Sequence, residues 1–124
     1  MAEFEFNENN DFLINKLIEK EKIIFITVAG RSNALSAFTD ANSTKPVIAC
    51  PPYSEKFGGA DIYSSLRLPS GVGSVLTTEP EGAAIAAAKI FGIEDENMAR
   101  RVREYQQSKK SEIEKADIST RKLK

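Results

Sequence analysis

Six consecutive residues, Ile23-Ile24-Phe25-Ile26-Thr27-Val28, run directly into Ala29-Gly30-Arg31-Ser32-Asn33-Ala34-Leu35-Ser36, and that join limits what the chain can fold into. The first half is apolar on both faces of an extended strand, the pattern of a central parallel strand covered by helices. The second half changes chemistry abruptly. Gly30 offers a backbone free to take positive φ and, lacking Cβ, open to close approach by a ligand. Arg31 is a fixed cation, and Ser32 and Asn33 are good N-caps for a helix opening at Ala34. Strand, glycine turn and helix N-terminus make an anion site at the carboxyl edge of a sheet. Many α/β proteins turn in this way, so the join points to a fold class, α/β with a parallel sheet, before it points to a function.

The rest of the chain is consistent with that class. Met1–Asn10 is polar and loose, and Asp11–Glu21 is expected to form a short helix with Phe12, Leu13, Leu17 and Ile18 on one side. Beyond a helix over Ala34–Thr39 and a turn at Asn42-Ser43-Thr44, Pro46 leads a second apolar strand, Val47-Ile48-Ala49-Cys50. Pro51-Pro52 ends it, since neither proline can donate to a ladder. Tyr53–Gly73 is longer than a routine connection, and loops of that length are usually functional or disordered. Its Tyr53, Phe57, Ile62, Tyr63, Leu66 and Leu68 favour an ordered, functional loop. Ser74–Leu76 is a third short strand. Thr78-Glu79-Pro80-Glu81 has the form of a capping box with proline in the first turn. The helix after it, Gly82–Phe91, is apolar nearly all round and predicts burial on more than one side. A last helix from Asp95 into the 110s carries Met98, Val102, Tyr105 and Ile113 at helical spacing, an arm over 95–124 packed on one stripe.

Composition excludes several partners. The 124 residues, 41% hydrophobic, suit one domain. Seventeen basic against 18 acidic side chains give no global pull toward nucleic acid or anionic membrane. The basic tail Arg121-Lys122-Lys124 has no aromatic interleaving and reads as solvated. No apolar run approaches the ~20 residues of a membrane-spanning helix, and Met1-Ala2-Glu3-Phe4-Glu5 lacks the basic start of a signal peptide. A single cysteine, Cys50, forbids an internal disulfide, argues against structural zinc and suits a reducing, cytosolic setting. Cys50 reads as a small buried filler, because a nucleophile wants a partner base and the chain has no histidine. Lys56 and Glu55 read as solvated loop charges.

Three stretches taken together are more specific. Ala29-Gly30-Arg31-Ser32-Asn33-Ala34-Leu35-Ser36, Ile48-Ala49-Cys50-Pro51-Pro52 and Asp61-Ile62-Tyr63-Ser64-Ser65-Leu66-Arg67-Leu68-Pro69-Ser70-Gly71 resemble the PurE-type phosphoribosylaminoimidazole carboxylases. The Gly-Arg-Ser-Asn and Ser-Ser-Leu-Arg-x-Pro-Ser-Gly forms look like the class II branch, which carboxylates aminoimidazole ribonucleotide directly with carbon dioxide. The mutase branch, acting on the N5-carboxy compound, usually differs in both loops. The resemblance implies a flavodoxin-like three-layer α/β/α subunit with a parallel sheet, a symmetric homo-oligomer such as an octamer, no cofactor, and sites at strand ends near subunit boundaries. It implies that Gly30, Arg31, Ser32, Asn33 and Ser36 hold the imidazole and the incoming carboxylate or carbon dioxide. Ser64, Ser65, Leu66 and Pro69 would line the pocket, with Pro51 and Pro52 as its wall. Arg67 divides evenly between pocket lining and an interface salt bridge.

The same resemblance has a gap. Family members begin with a β-α-β unit carrying a Gly-Ser-x-Ser-Asp phosphate loop and a Ser-Ala-His loop whose histidine moves the ring proton. Such a unit needs about 30 residues or more, only 22 precede Ile23, and neither motif occurs. The expectation is therefore the C-terminal two-thirds of a carboxylase, from a truncated gene, a split subunit or a fragment. Two functions stay open: part of a carboxylating enzyme, inactive alone, or a non-catalytic remnant that keeps oligomerisation and weak nucleotide binding.

Overall fold

The structure, a computed structural model, describes residues 22–121. Strands β1 (Phe25–Thr27), β2 (Val47–Ala49) and β3 (Val75–Leu76) form one parallel sheet in the order β1-β2-β3. Phe25 lies opposite Val47, Ile26 opposite Ile48, and Thr27 opposite Ala49, while Ile48 and Ala49 face Val75 and Leu76. The ladder continues past the strands, with Cys50 N–H donating to the Thr27 carbonyl at 2.8 Å and Thr77 N–H to that of Ala49 at 2.9 Å. Parallel neighbours need a crossover rather than a hairpin. Helix α1 (Ala34–Ala41) lies in the first crossover, and a 3₁₀ segment (Lys56–Ile62) with the one-turn α2 (Tyr63–Leu66) lies in the second.

The core is β2. Val47, Ile48, Ala49 and Cys50 are all under 5% exposed, so this is the strand whose continuous apolar run reflects cover on both faces. Cys50 is the buried filler expected. The central position expected for Ile23–Val28 is not observed among the described residues. β1 occupies an edge of the described sheet, only three of the six residues are strand, and Ile26 and Val28 are 45% and 55% exposed. Thr27, the polar residue of the run, is the buried one.

Helix α1 extends two residues beyond the expected Thr39 and ends where Asn42 turns its backbone N–H and its side-chain amide onto the Phe38 carbonyl. The 53–73 stretch is ordered, as its apolar content suggested, but holds helical turns the sequence did not announce. Phe57, Gly58 and Gly59 take left-handed backbone in succession, bending the 3₁₀ segment before α2. Helix α3 (Pro80–Phe91) starts two residues earlier than expected. The Glu79 carbonyl accepts the Ala83 N–H at 3.1 Å, so Glu79 is the N-cap and Thr78 falls outside the helix. Of α3 only Ala83 is buried, and its other residues are half-buried or exposed. The expected burial on several sides is not met among the described residues, because an alanine-rich composition supplies small side chains without supplying neighbours.

Helix α4 (Glu96–Arg121) starts at Asp95, whose carboxylate accepts the Met98 N–H at 3.1 Å and whose carbonyl accepts the Ala99 N–H. Gly92 is required at its approach to α3, because a Cβ there would stand 3.2 Å from the Ala88 oxygen and 3.3 Å from the Ala99 Cα. Of the apolar stripe, Val102 is buried, but Tyr105 and Ile113 are 43% and 70% exposed. Exposed pairs such as Arg100–Glu104 and Lys109–Glu112 line the remainder. The hydrogen bond and charge of Glu112 raise the Lys109 pKa, but pairs so exposed add little stability. The chain divides between Ala83 and Ala84 into two compact units. No described helix is long and apolar enough to cross a membrane. The expectations for Met1–Asn10 and Asp11–Glu21, and for the tail beyond Arg121, lie outside the described residues.

Candidate functional site

The carboxyl ends of β1 and β2 bring two of the three sequence motifs together. Gly30, in the loop after β1, lies against Pro52, two residues past the Cys50 that closes β2. A Cβ built on Gly30 would sit 3.6 Å from the Pro52 Cγ, ordinary contact distance. The positive φ expected of Gly30 falls elsewhere, on Arg31 at 58° and Asn33 at 32°. A backbone bond from Asn33 N–H to the Gly30 carbonyl closes the turn at 3.2 Å. Left-handed backbone outside glycine costs on the order of 1–3 kcal/mol and clusters at ligand sites. Asparagine tolerates it better than most residues, because its short polar side chain bonds locally.

Asn33 is the N-cap of α1, as expected, and its cap is part of something larger. Its Oδ1 accepts both the Ser36 backbone N–H at 3.3 Å and the Ser36 Oγ–H at 2.7 Å. Its Nδ2 donates to Ser65 Oγ at 2.6 Å, across 32 residues of sequence. Thr27 Oγ1 stands 2.7 Å from Ser36 Oγ. The neighbouring Ser64 hydroxyl reaches two carbonyls at 2.7 Å, those of Arg31 and Asp61. Thus the third motif is stitched to the first by side chains at adjacent positions of α2.

The eleven residues assigned from the sequence fall into two groups. Arg31, Ser32, Pro52, Leu66 and Pro69 are exposed, and Gly30 and Ser64 are half-buried. Asn33, Ser36, Ser65 and Pro51 are buried. The accessible groups near the turn are therefore the Arg31 guanidinium, the Ser32 hydroxyl and the backbone of the turn, a set suited to a small anion or carboxylate. Pro69 stands apart: its carbonyl accepts the Val72 N–H at 3.2 Å in a separate turn. That segment is tied instead to α1, through Gly73 N–H donating to the Asp40 carboxylate at 2.7 Å. Arg67 is exposed and forms no ion pair among the described residues. No group of three or more His, Cys, Asp or Glu among the described residues is arranged to hold a metal.

Two contributors were not singled out from the sequence. Thr27 had a signal, being the one polar residue in a six-residue apolar run. Asp40 had none, since an acidic residue near the end of a helix is common.

The geometry agrees with known proteins. Residues 8–112 match the AIR carboxylase family. The chain is 59% identical over 108 residues to the phosphoribosylaminoimidazole carboxylase of Archaeoglobus fulgidus, covering 87% of this chain and 60% of that protein. It is 51% identical over 90 residues to the Treponema denticola phosphoribosylaminoimidazole carboxylase, covering 73% and 57%. The crystal structure of Treponema denticola PurE superposes with a TM-score of 0.85 at 43% identity, over 89% of this chain and 70% of that one. The chain thus spans about three-fifths of the length of the curated relatives it matches. Because the matched span takes in all three strands and both stitched loops, the chain belongs to the AIR carboxylase family.

Proposed function

We propose that this chain supplies the substrate loops of a cytoplasmic carboxylase of purine synthesis, one that joins carbon dioxide to 5-aminoimidazole ribonucleotide to give the 4-carboxy product. The observation that carries this reading is the exposed Arg31-Ser32 turn, with left-handed backbone at Arg31 and Asn33, set between Gly30 near Pro52 on one side and Ser64 and Ser65 on the other. Such a turn can hold the electron-rich imidazole carbon against carbon dioxide, with Arg31 balancing the carboxylate that forms. The Gly-Arg-Ser-Asn and Ser-Ser-Leu-Arg-x-Pro-Ser-Gly forms favour carbon dioxide over the N5-carboxy compound as the carbon source. With no histidine in its 124 residues, the chain by itself binds rather than turns over, which is also what a non-catalytic remnant would do.

Titration calorimetry with aminoimidazole ribonucleotide tests the reading. Arg31→Ala is expected to weaken binding about tenfold, the value of one charge-assisted hydrogen bond. Gly30→Ala should leave the unfolding midpoint unchanged, since its Cβ meets Pro52 at ordinary distance, yet narrow the gap and weaken binding as well. Wild-type chain that does not bind, or Arg31→Ala that binds equally well, contradicts the proposal.

We also propose that the chain works as a symmetric homo-oligomer, octamer-like as the resemblance implies. Ile26 in β1 and Val28 just beyond it are 45% and 55% exposed, and exposed apolar side chains on a strand at the edge of the described sheet favour association. Sedimentation velocity should show species larger than a monomer. A single sharp monomeric boundary with cooperative unfolding would contradict this.

A further inference from the structure

Four hydrogen-bonding side chains form a buried chain beneath the Arg31-Ser32 turn: Thr27, Ser36, Asn33 and Ser65, exposed by 7%, 0%, 3% and 4%. Counting donors gives it a direction. The two lone pairs of Asn33 Oδ1 are both filled by Ser36, from its backbone N–H and its hydroxyl. Ser36 has one hydroxyl hydrogen, and it goes to Asn33, so the 2.7 Å contact between Thr27 and Ser36 is donated by Thr27. The Ile48 carbonyl, at 3.5 Å, is the poorer alternative acceptor for Thr27. With its oxygen held by Ser36, the Asn33 amide turns its NH₂ to Ser65 at 2.6 Å. The sequence of donations is Thr27 to Ser36 to Asn33 to Ser65.

A strand-to-helix junction has no need of this. Buried hydroxyls and amides cost free energy unless paired, and apolar residues of similar shape would close the same space. What the polar chain adds is direction: it admits one orientation of the Asn33 amide and one placement of the first loop on α2. Arg31 and Ser32 lie between the points so fixed, with the Arg31 carbonyl held by Ser64. We infer that Thr27 is a positioning residue of the site, acting through Ser36 and Asn33 to hold the Arg31-Ser32 turn in its ligand-binding form. On this inference Asn33, Ser36 and Ser65 also serve by position, and do not themselves touch the ligand. The identity of that ligand rests on the function proposed above; the positioning does not.

The test compares Thr27→Val, which keeps the shape and removes the hydroxyl, with Thr27→Ser, which keeps the hydroxyl. Amide hydrogen exchange is read at Arg31, Ser32 and Asn33 against Ile48 and Ala49 of β2, and affinity for aminoimidazole ribonucleotide is measured in parallel on the same full chains. Thr27→Val is expected to speed exchange in the turn about fivefold relative to β2, the value of one net hydrogen bond, and to weaken affinity by a similar factor. Thr27→Ser should restore both. Equal acceleration in turn and β2 would mean a general loss of stability and overturn the inference, as would Thr27→Ser behaving like Thr27→Val. If wild-type chain binds no nucleotide, the proposed function falls, and the exchange comparison alone decides the positioning. Should Thr27→Val fail to fold, Ser65→Ala interrupts the far end of the same chain. Selective loosening of the turn in that variant supports the coupling, and unchanged exchange there overturns it.

Discussion

Supplied with aminoimidazole ribonucleotide and carbon dioxide, the 124-residue chain alone is expected to turn over at least about 10²-fold more slowly than one of the longer phosphoribosylaminoimidazole carboxylases it resembles, because a positioned acid or base contributes typically 10²–10⁴-fold. The chemistry sets this expectation. Carbon dioxide addition leaves a ring carbon carrying both hydrogen and carboxylate, and aromaticity returns only when that proton leaves. None of the groups brought together here is suited to take it. The Arg31 guanidinium offers hydrogen-bond donors and no acceptor. Ser32 is an exposed hydroxyl and not itself a base, and the single hydrogen of the Ser64 hydroxyl goes to one of two backbone carbonyls at 2.7 Å, those of Arg31 and Asp61. Cys50 is 4% exposed at the end of the central strand, and there is no histidine in the sequence. A steady-state assay with purified chain decides the matter. Turnover near that of a relative, abolished by Arg31→Ala and so not due to a contaminant, would refute the expectation. Recovery of turnover when the part of a longer relative that this chain does not match is added in trans would show that the missing acid or base can be supplied by a second segment.

The parts of this site that could be read from the sequence are those set by local chemistry. Asn33 before Ala34 is a cap wherever the fold places it, and the structure has it accepting the Ser36 N–H. Val47–Cys50, bounded by Pro46 and Pro51, reads as a second apolar strand, and Val47–Ala49 of it is one, with Cys50 just past its end. What could not be read depends on which elements become neighbours. Ile26 and Val47 are equally apolar in the sequence, yet strand order buries one and leaves the other 45% exposed. The left-handed backbone of Arg31 has no local cause, since arginine gains nothing from it; it is imposed by the bonds that fix Asn33 and the Arg31 carbonyl to α2. The one-turn helix α2 is likewise too short to be stable alone, and its hydroxyls reach the first loop across more than 30 positions. Conversely, one residue carried a signal that the sequence reading did not use: Thr27, polar within an apolar run, starts the buried chain that those contacts complete.

Asn33 is where these local and long-range causes meet, and replacing it should cost more stability than any other loop substitution. Asn33→Ala removes the helix cap, worth about 1 kcal/mol. It places alanine in left-handed backbone at φ 32°, at roughly 1 kcal/mol or more. It also removes the Asn33 bond from the buried Ser65 hydroxyl and leaves the Ser36 hydroxyl with its Thr27 contact alone, at about 1–3 kcal/mol. Together these give a loss of roughly 3–4 kcal/mol, discounted from the simple sum because neighbouring effects overlap. Asn33→Gly separates the contributions. Glycine accepts left-handed backbone freely and serves as an N-cap at a cost of only a few tenths of a kcal/mol, so it should retain about 1–2 kcal/mol more than alanine while still lacking the amide. Equilibrium denaturant unfolding of the two variants measures the difference. If glycine recovers nothing over alanine, backbone conformation is not what Asn33 relieves. If glycine recovers everything, the bonds to Ser36 and Ser65 add no stability, and the buried chain of hydroxyls then serves placement of the turn alone.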